Sequence, residues 1–390
     1  LVLGILIYLQ RENIYAEILD GEHWSELDDP NDLRITQFIF QEQARMDLLK
    51  AGCGGYWNYP VLDFSYIRNM YFPNPSVIAE IRASLPGLLT SYGSSQAILN
   101  EKLAYFLGCN PKNVSLLNGA SQAFPLLGEF FRGKRILVPT PTFGEFTRVF
   151  GPCTSYADSF SVSLDDITLK SRDCDVVVFV NPNNPTGSLV APEKIVAFAR
   201  ENPEKTILVD ESFIDFAGIP GMIPLLEEDP QENVIVLKSL SKVLGVPGLR
   251  LGCLYSSNRE LAGYMEKNLP IWNCNSIAEF FLEIILKQRD ALEASFRSTR
   301  EDRTAFAALL SGLPFVRRVC PSEANFLVIE LSPDVPHPET LVNDLLVKKS
   351  IFIKDISDRF PGGHPYFRLA VRLPEENKKL VQCLREIIPS

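Results

Sequence analysis

Histidine is scarce in this 390-residue chain: only His23, His337 and His364 occur, far apart from one another. The eight cysteines, at 53, 109, 153, 174, 253, 274, 320 and 383, form no Cys-x-x-Cys pair. These two scarcities leave no spacing suited to a structural or catalytic metal, and no metal site is expected. Scattered free thiols in a chain of this size point to a reducing compartment, the cytoplasm. Cations are also in deficit. Thirty-eight Lys and Arg stand against 48 Asp and Glu, for a net charge of -10, which excludes a general binder of nucleic-acid backbones. Small molecules are the expected partners. The apolar opening Leu1-Val-Leu-Gly-Ile-Leu-Ile-Tyr-Leu9 is too short for a membrane span and has no basic flank, so neither a membrane helix nor a signal peptide is expected. It reads as a strand or helix continuing from a longer protein.

What the chain does have is apolar mass. With 46% hydrophobic residues over this length, it exceeds what one core usually holds. From Val114 onward, short apolar runs recur at Val114–Leu117, Ile136–Val138, Val176–Val180, Ile207–Val209, Val234–Leu237 and Leu251–Tyr255, separated by helix-length segments. That alternation predicts an α/β fold with a mostly parallel, buried sheet flanked by helices. A long helical pattern over 276–310 leads into strands near 315–319, 326–329, 351–353 and 367–371, a smaller α+β domain. The expected divisions are an N-terminal appendage over 1–48, an arm over 49–90, a large domain over 91–285 and a small one over 286–390.

The residues just past the strand ends carry the chemistry, because ligands of open α/β sheets bind there. Ser239-Leu-Ser-Lys242-Val-Leu-Gly-Val-Pro-Gly-Leu-Arg250 combines a lysine with hydroxyls, glycines and an arginine. Taken alone it also fits a surface lysine in a loop. A desolvated lysine amine can form a Schiff base with a carbonyl cofactor, and Ser239 and Arg250 can grip its phosphate. Asp210 ends the run Thr206-Ile-Leu-Val-Asp210, where a buried carboxylate calls for a cation such as a protonated pyridine nitrogen. Asn184, in Asn181-Pro-Asn-Asn-Pro-Thr-Gly187, can donate to a phenolate on the same ring, or simply serve the turn. Gly119-Ala120-Ser121-Gln122 opens a helix, where free amides favour phosphate. Phe143 can stack on a flat ring or belong to the core.

In this order and spacing, the Asn-Pro-x-Asn-Pro-Thr-Gly and Ser-x-Ser-Lys-x-x-Gly-x-x-Gly-x-Arg motifs make residues from about 60 to 390 resemble pyridoxal-phosphate enzymes of the aspartate aminotransferase fold type. The similarity is greatest to the histidinol-phosphate aminotransferase and threonine-phosphate decarboxylase branch. The resemblance implies a pyridoxal 5'-phosphate cofactor joined to Lys242, with Lys242 also moving the proton. It implies Asp210 on the pyridine nitrogen, Asn184 on O3', Phe143 on the ring face, and Ala120, Ser121, Gln122, Ser239 and Arg250 around the phosphate, with Gly119 at the turn. It implies a homodimer in which Tyr92 reaches the neighbour's phosphate, and Arg368 as the holder of a substrate α-carboxylate. Phe213 stands where many relatives carry a tyrosine that donates to O3', so one hydrogen bond to the cofactor is expected to be missing. Arg68 and Asn69 occupy the substrate-facing segment, Arg68 as a second anion contact.

Residues 1–48 differ in character. Trp24-Ser-Glu-Leu-Asp-Asp29-Pro-Asn-Asp32-Leu resembles the C-terminal end of choline-phosphate and sugar-phosphate nucleotidyltransferases, although an acidic turn capping a helix through Asp29 or Asp32 accounts for it equally well. The expectation drawn from all this is a transaminase acting between an amino acid and a small phosphonate- or phosphate-bearing carbonyl compound, with 2-aminoethylphosphonate and phosphonoacetaldehyde as the leading pair. Histidinol phosphate transamination and decarboxylation of an O-phospho amino acid are the alternatives.

Overall fold

The computed structural model describes residues 8–9 and 26–388. The expected element at Leu1–Leu9, Trp24 and the first part of the nucleotidyltransferase-like run lie outside them. Two compact units emerge, residues 1–60 and 61–390. In the first, Asp29 caps the helix Pro30–Phe40, its Oδ1 accepting from the amides of Asn31 and Asp32 at 2.6 and 3.0 Å. That is the capping role the sequence allowed. At the other end Arg45 donates to the free carbonyls of Phe38 and Ile39. A second helix, Arg45–Gly52, ends at Cys53 in the left-handed region.

The second unit opens with β1 (Leu62–Asp63) and builds a seven-stranded sheet from β2 (Val114–Asn118), β3 (Ile136–Thr140), β4 (Thr154–Ala157), β5 (Val176–Val180), β6 (Thr206–Asp210), β7 (Val234–Lys238) and β8 (Leu251–Tyr255), in the order β2-β8-β7-β6-β5-β3-β4. Only β8 runs antiparallel to its neighbours. The central strands β5 and β7 are buried at every position, as β-branched runs covered on both faces should be. The six predicted strands are all present. The seventh, β4, was not expected, because Thr-Ser-Tyr-Ala has an exposed edge with a single buried residue, Tyr156.

A four-stranded antiparallel sheet follows, β12-β13-β10-β9, made of β9 (Val316–Cys320), β10 (Phe326–Leu331), β12 (Lys354–Asp355) and β13 (Tyr366–Ala370). The short β11 (Ile351–Phe352) pairs in parallel with β1. The expected long helix over 276–310 is divided: Ser276–Ile284 gives way to a tighter 3-10 turn at Ile285–Gln288 before Arg289–Ser311. Among the described residues no helix is long and apolar enough to cross a membrane.

Between β4 and the Asn181–Gly187 loop lies a buried knot centred on Asp158, which is 1% exposed. Its Oδ2 accepts from Asn183 Nδ2 at 2.7 Å, Thr186 Oγ1 at 2.9 Å and Ser188 Oγ at 2.5 Å. Burial pushes its pKa up while these donors pull it back. Asp158→Ala removes the acceptor these three donors share, although Asn183 keeps the Pro141 carbonyl and the Thr186 and Ser188 hydroxyls keep each other; at about 1–3 kcal/mol for an unsatisfied group, the expected loss is about 2–4 kcal/mol. A urea unfolding midpoint measures it.

Candidate active site

Five strand ends and one short helix meet at a cavity of about 160 Å³, lined among others by Ala120, Ser121, Phe143, Asn184, Asp210, Phe213, Ser239, Lys242 and Arg250. After β2 the chain turns at Gly119, whose φ of +79° suits glycine, and a Cβ there would strike the Arg250 guanidinium. The turn brings Ser121 Oγ within 2.9 Å of Arg250 Nη2. Arg250 itself has φ +59°, a conformation that costs a non-glycine residue about 1–2 kcal/mol and persists where surroundings impose it.

The helix Leu240–Val243 carries Lys242 and is anchored from two sides. Ser241 Oγ donates to the Leu251 carbonyl on β8, and the amide of Asn69 donates to the Lys242 carbonyl at 2.9 Å. Gly245 lets the chain leave the helix, since any Cβ there would collide with the Phe72 carbonyl. Burial lowers the Lys242 pKa, the Arg368 and Arg250 guanidiniums lower it further, and Asp210 opposes them. More of the amine is therefore free at neutral pH.

Asp210 closes β6, 7% exposed. Its Oδ1 accepts from the Ser212 amide and hydroxyl at 3.0 and 2.5 Å, and Ser212 Oγ in turn accepts from the Ser239 amide. Desolvation raises its pKa, with Ser212 and Lys242 only partly offsetting it. Both hydrogen bonds fall on Oδ1, which leaves Oδ2 for a cationic ligand. Across the cavity Arg368 Nη1 donates to Asn184 Oδ1 at 2.7 Å and Nη2 to the Ser65 carbonyl at 2.5 Å, with Nε buried and unbonded. Phe213 packs edge-on against Phe326 (5.4 Å, 87°), and the Arg368 guanidinium lies over that same Phe326 ring at 5.6 Å.

Residues 62–384 match the aminotransferase class I and II family along their length. The chain belongs to that family.

Three relatives place the chain more closely. It is 35% identical over 379 residues to the CMP-5'-(3-aminopropyl)phosphonate synthase of Streptomyces rubellomurinus, covering 94% of this chain and 59% of that protein. It is 31% identical to an L-serine phosphate decarboxylase of Campylobacter jejuni, covering 78% of this chain and 81% of that one. Its fold superimposes on the histidinol-phosphate aminotransferase of Clostridium acetobutylicum with a TM-score of 0.75, at 26% identity over 84% of this chain and 99% of the other. The chain spans about three-fifths of the length of the curated relatives it matches most fully. The cofactor of the aminotransferase is pyridoxal 5'-phosphate.

The cavity fits that cofactor in its own chemistry. Asp210 awaits a cation, Lys242 offers a depressed amine, and Arg250 with Ser121 and Ser239 offers donors for a phosphate. Not every expected residue lines it. Gln122 spends its side chain on the Asn118 amide and on Asn273 Oδ1, both at 2.8 Å. Asn69 is buried and bonded through Nδ2 to the Val243 carbonyl and Ser295 Oγ, which places it under the Lys242 helix rather than toward a substrate. Arg68 is exposed near Arg372, Glu376 and Asp63 and is not among the lining residues. Tyr92 is 78% exposed and stacks on Trp272 at 4.4 Å. The sequence reading missed Phe124, Val180, Ser212, Leu237, Ser241 and Pro247 in the lining. Ser212, two residues past Asp210, was within reach of strand-end reasoning.

Proposed function

We propose that the aminotransferase acts at the nitrogen-bearing carbon of a small substrate with a phosphonate or phosphate at its far end, transferring the amino group between an amino acid and phosphonoacetaldehyde to give 2-aminoethylphosphonate. The observation that carries the anionic far end is a cluster of cations beside Asn184. Lys354 lies opposite Arg368 across the β12–β13 ladder, and Arg359 donates to the Thr142 carbonyl at 3.0 Å. Burial and then Arg359 hold the Arg368 pKa down to about 10, and burial, Arg368 and Arg359 lower that of Lys354. Such mutual pressure is relieved by an anion.

When bound, the cofactor draws electrons away from the substrate carbon attached to nitrogen. Lys242 moves the proton at that carbon, its lowered pKa suiting it to accept one near neutrality. Asp210 would hold a proton on the ring nitrogen, Asn184 would donate toward O3', Phe143 would cover the ring, and Arg250, Ser121 and Ser239 would hold the phosphate. Arg368 receives a carboxylate in the two-pronged geometry a guanidinium provides. A second copy of the chain would complete the site through Tyr92. Its support is the exposed Tyr92–Trp272 stack together with Ile271, which is 77% exposed.

A second reading is decarboxylation of the α-carboxylated counterpart of such an amine. Two relatives favour it: one is named as an L-serine phosphate decarboxylase, and the other is named for an aminopropylphosphonate, which carries no carboxylate. That second name, with the Trp24–Leu33 run, also supports fusion to a nucleotidyltransferase domain. The test is a half-reaction screen of the loaded enzyme with 2-aminoethylphosphonate, 3-aminopropylphosphonate, their α-carboxylated counterparts, phosphoserine and histidinol phosphate. Bleaching of the cofactor's visible band by the free amine supports transamination. Carbon dioxide release without a keto acid selects decarboxylation, and silence toward every phosphonate overturns the phosphonate reading.

Arg368→Lys loses the two-pronged contact, worth about 1.5–3 kcal/mol for a charged hydrogen-bonding pair. A fall of roughly 10–100-fold in kcat/KM is expected for carboxylate-bearing substrates, and a smaller one for phosphonate amines without a carboxylate, because lysine keeps the positive charge in the cluster.

A further inference from the structure

We propose that a second cavity, of about 240 Å³, binds a small guanidinium or ammonium compound with a short apolar tail. It shares no lining residue with the cofactor cavity. The two are separated by alternation along the strands. Asp210 and Ser239 line one cavity, while their chain neighbours Glu211 and Lys238 line the other.

Leaving aside Glu293, which is exposed, the charges around this cavity are committed, with one exception. Lys238 Nζ lies 3.1 and 2.9 Å from the two oxygens of Asp215. At the rim, Arg289 donates to the carbonyls of Tyr105 and Phe106, both at 2.8 Å. Glu211 is the exception. It is 1% exposed, its Oε1 accepts from the Met222 amide at 2.8 Å, and its Oε2 is buried with no hydrogen bond. A buried carboxylate oxygen without a donor is costly and seldom left so. The lining carries three acids, Glu211, Asp215 and Glu293, against two bases, Lys238 and Arg289. Glu293 is exposed to solvent and Asp215 has Lys238 against it, which leaves Glu211 as the buried acid of the lining with no ion pair. Phe106, Ile219 and Phe296 supply apolar walls for the tail.

Burial pushes the Glu211 pKa up to about 7; Lys238 and the Met222 amide oppose this, and Asp215 and Asp210 add to it. Cys253 is the other titratable group coupled to it. A cation arriving at Oε2 therefore displaces a proton, and its affinity rises with pH until Glu211 is fully ionised. The cavity also touches Leu240 and Val243, which flank Lys242 on its helix. Occupancy thus bears on the element that holds the reactive amine.

The experiment is calorimetric titration of the cofactor-loaded protein with n-butylguanidinium, which cannot condense with a carbonyl as a simple amine would. Binding of one molecule per chain is expected, tightening roughly tenfold between about pH 6 and about pH 8 as Glu211 ionises. Neither n-butanol nor butanoate should compete. Glu211→Gln should abolish both binding and its pH dependence. Ile219→Trp, which fills the mouth while keeping Glu211, should abolish binding with the cofactor's visible absorbance intact. No binding to the unaltered protein, binding that survives both substitutions, or equal affinity for n-butanol overturns the proposal.

Discussion

Replacing Lys242 with alanine is expected to lower turnover by at least roughly 10²–10⁴-fold, the contribution of one positioned proton carrier alone. The cause lies in how the amine is kept. Burial and two flanking guanidiniums, those of Arg368 and Arg250, favour its neutral form, while Asp210 keeps the shift from running further. The helix beneath it is pinned by Ser241 and Asn69, which fixes where the amine stands. Borohydride reduction of the loaded protein followed by mass measurement provides a readout independent of turnover. The unaltered chain should gain the mass of the cofactor, and Lys242→Ala should not. A variant that retains the cofactor's mass after reduction would show that another amine holds it.

The second large effect has opposite signs in the empty and loaded protein. In the cofactor-free chain desolvation raises the Asp210 pKa above its unfolded value. The folded state then binds more protons than the unfolded one across that window, and stability falls as pH rises through it. Asparagine carries no such penalty. Asp210→Asn should therefore raise the Tm of the cofactor-free chain at neutral pH, and the gain should vanish once the pH drops below the ordinary carboxylate range. In the loaded enzyme the substitution removes the anion facing the ring nitrogen. Losing one partner of a buried ion pair costs about 3–5 kcal/mol, which, if lost from the barrier, corresponds to roughly 10²–10⁴-fold in rate. Differential scanning of both forms across pH, with kcat measured alongside, tests the sign change.

These effects centre on residues that short motifs made legible. Asn184 and Lys242 follow buried strands, Asp210 closes one and Arg250 directly precedes one, and strand runs of Val, Ile and Leu announce themselves. The supports were harder to see. Asp158 serves Asn183, Thr186 and Ser188 from 25 to 30 residues away, with an unremarkable Ala-Asp-Ser around it. β4 was missed because an edge strand with one buried side chain has no apolar run to show. Asn69 was taken for a substrate contact because its segment faces the site. Only the fold reveals that its amide is spent on Val243 and Ser295. Glu211, next to Asp210 in the chain, carries no motif of its own, and strand alternation turns it to a different cavity.

The parallel pairing of β1 with β11 bears on how the site comes into being during synthesis. Leu62 and Phe64 donate to Ser350 and Phe352, and Ala370 donates back to Phe64. Ser65, one residue on, gives its carbonyl to Arg368, 303 positions later. A nascent chain can close the seven-stranded sheet, with Lys242 and Asp210 in place, well before Arg368 leaves the ribosome. Closing a loop of that length comes late and slowly. The cofactor end is therefore translated and assembled first, and the substrate end waits for the last strand.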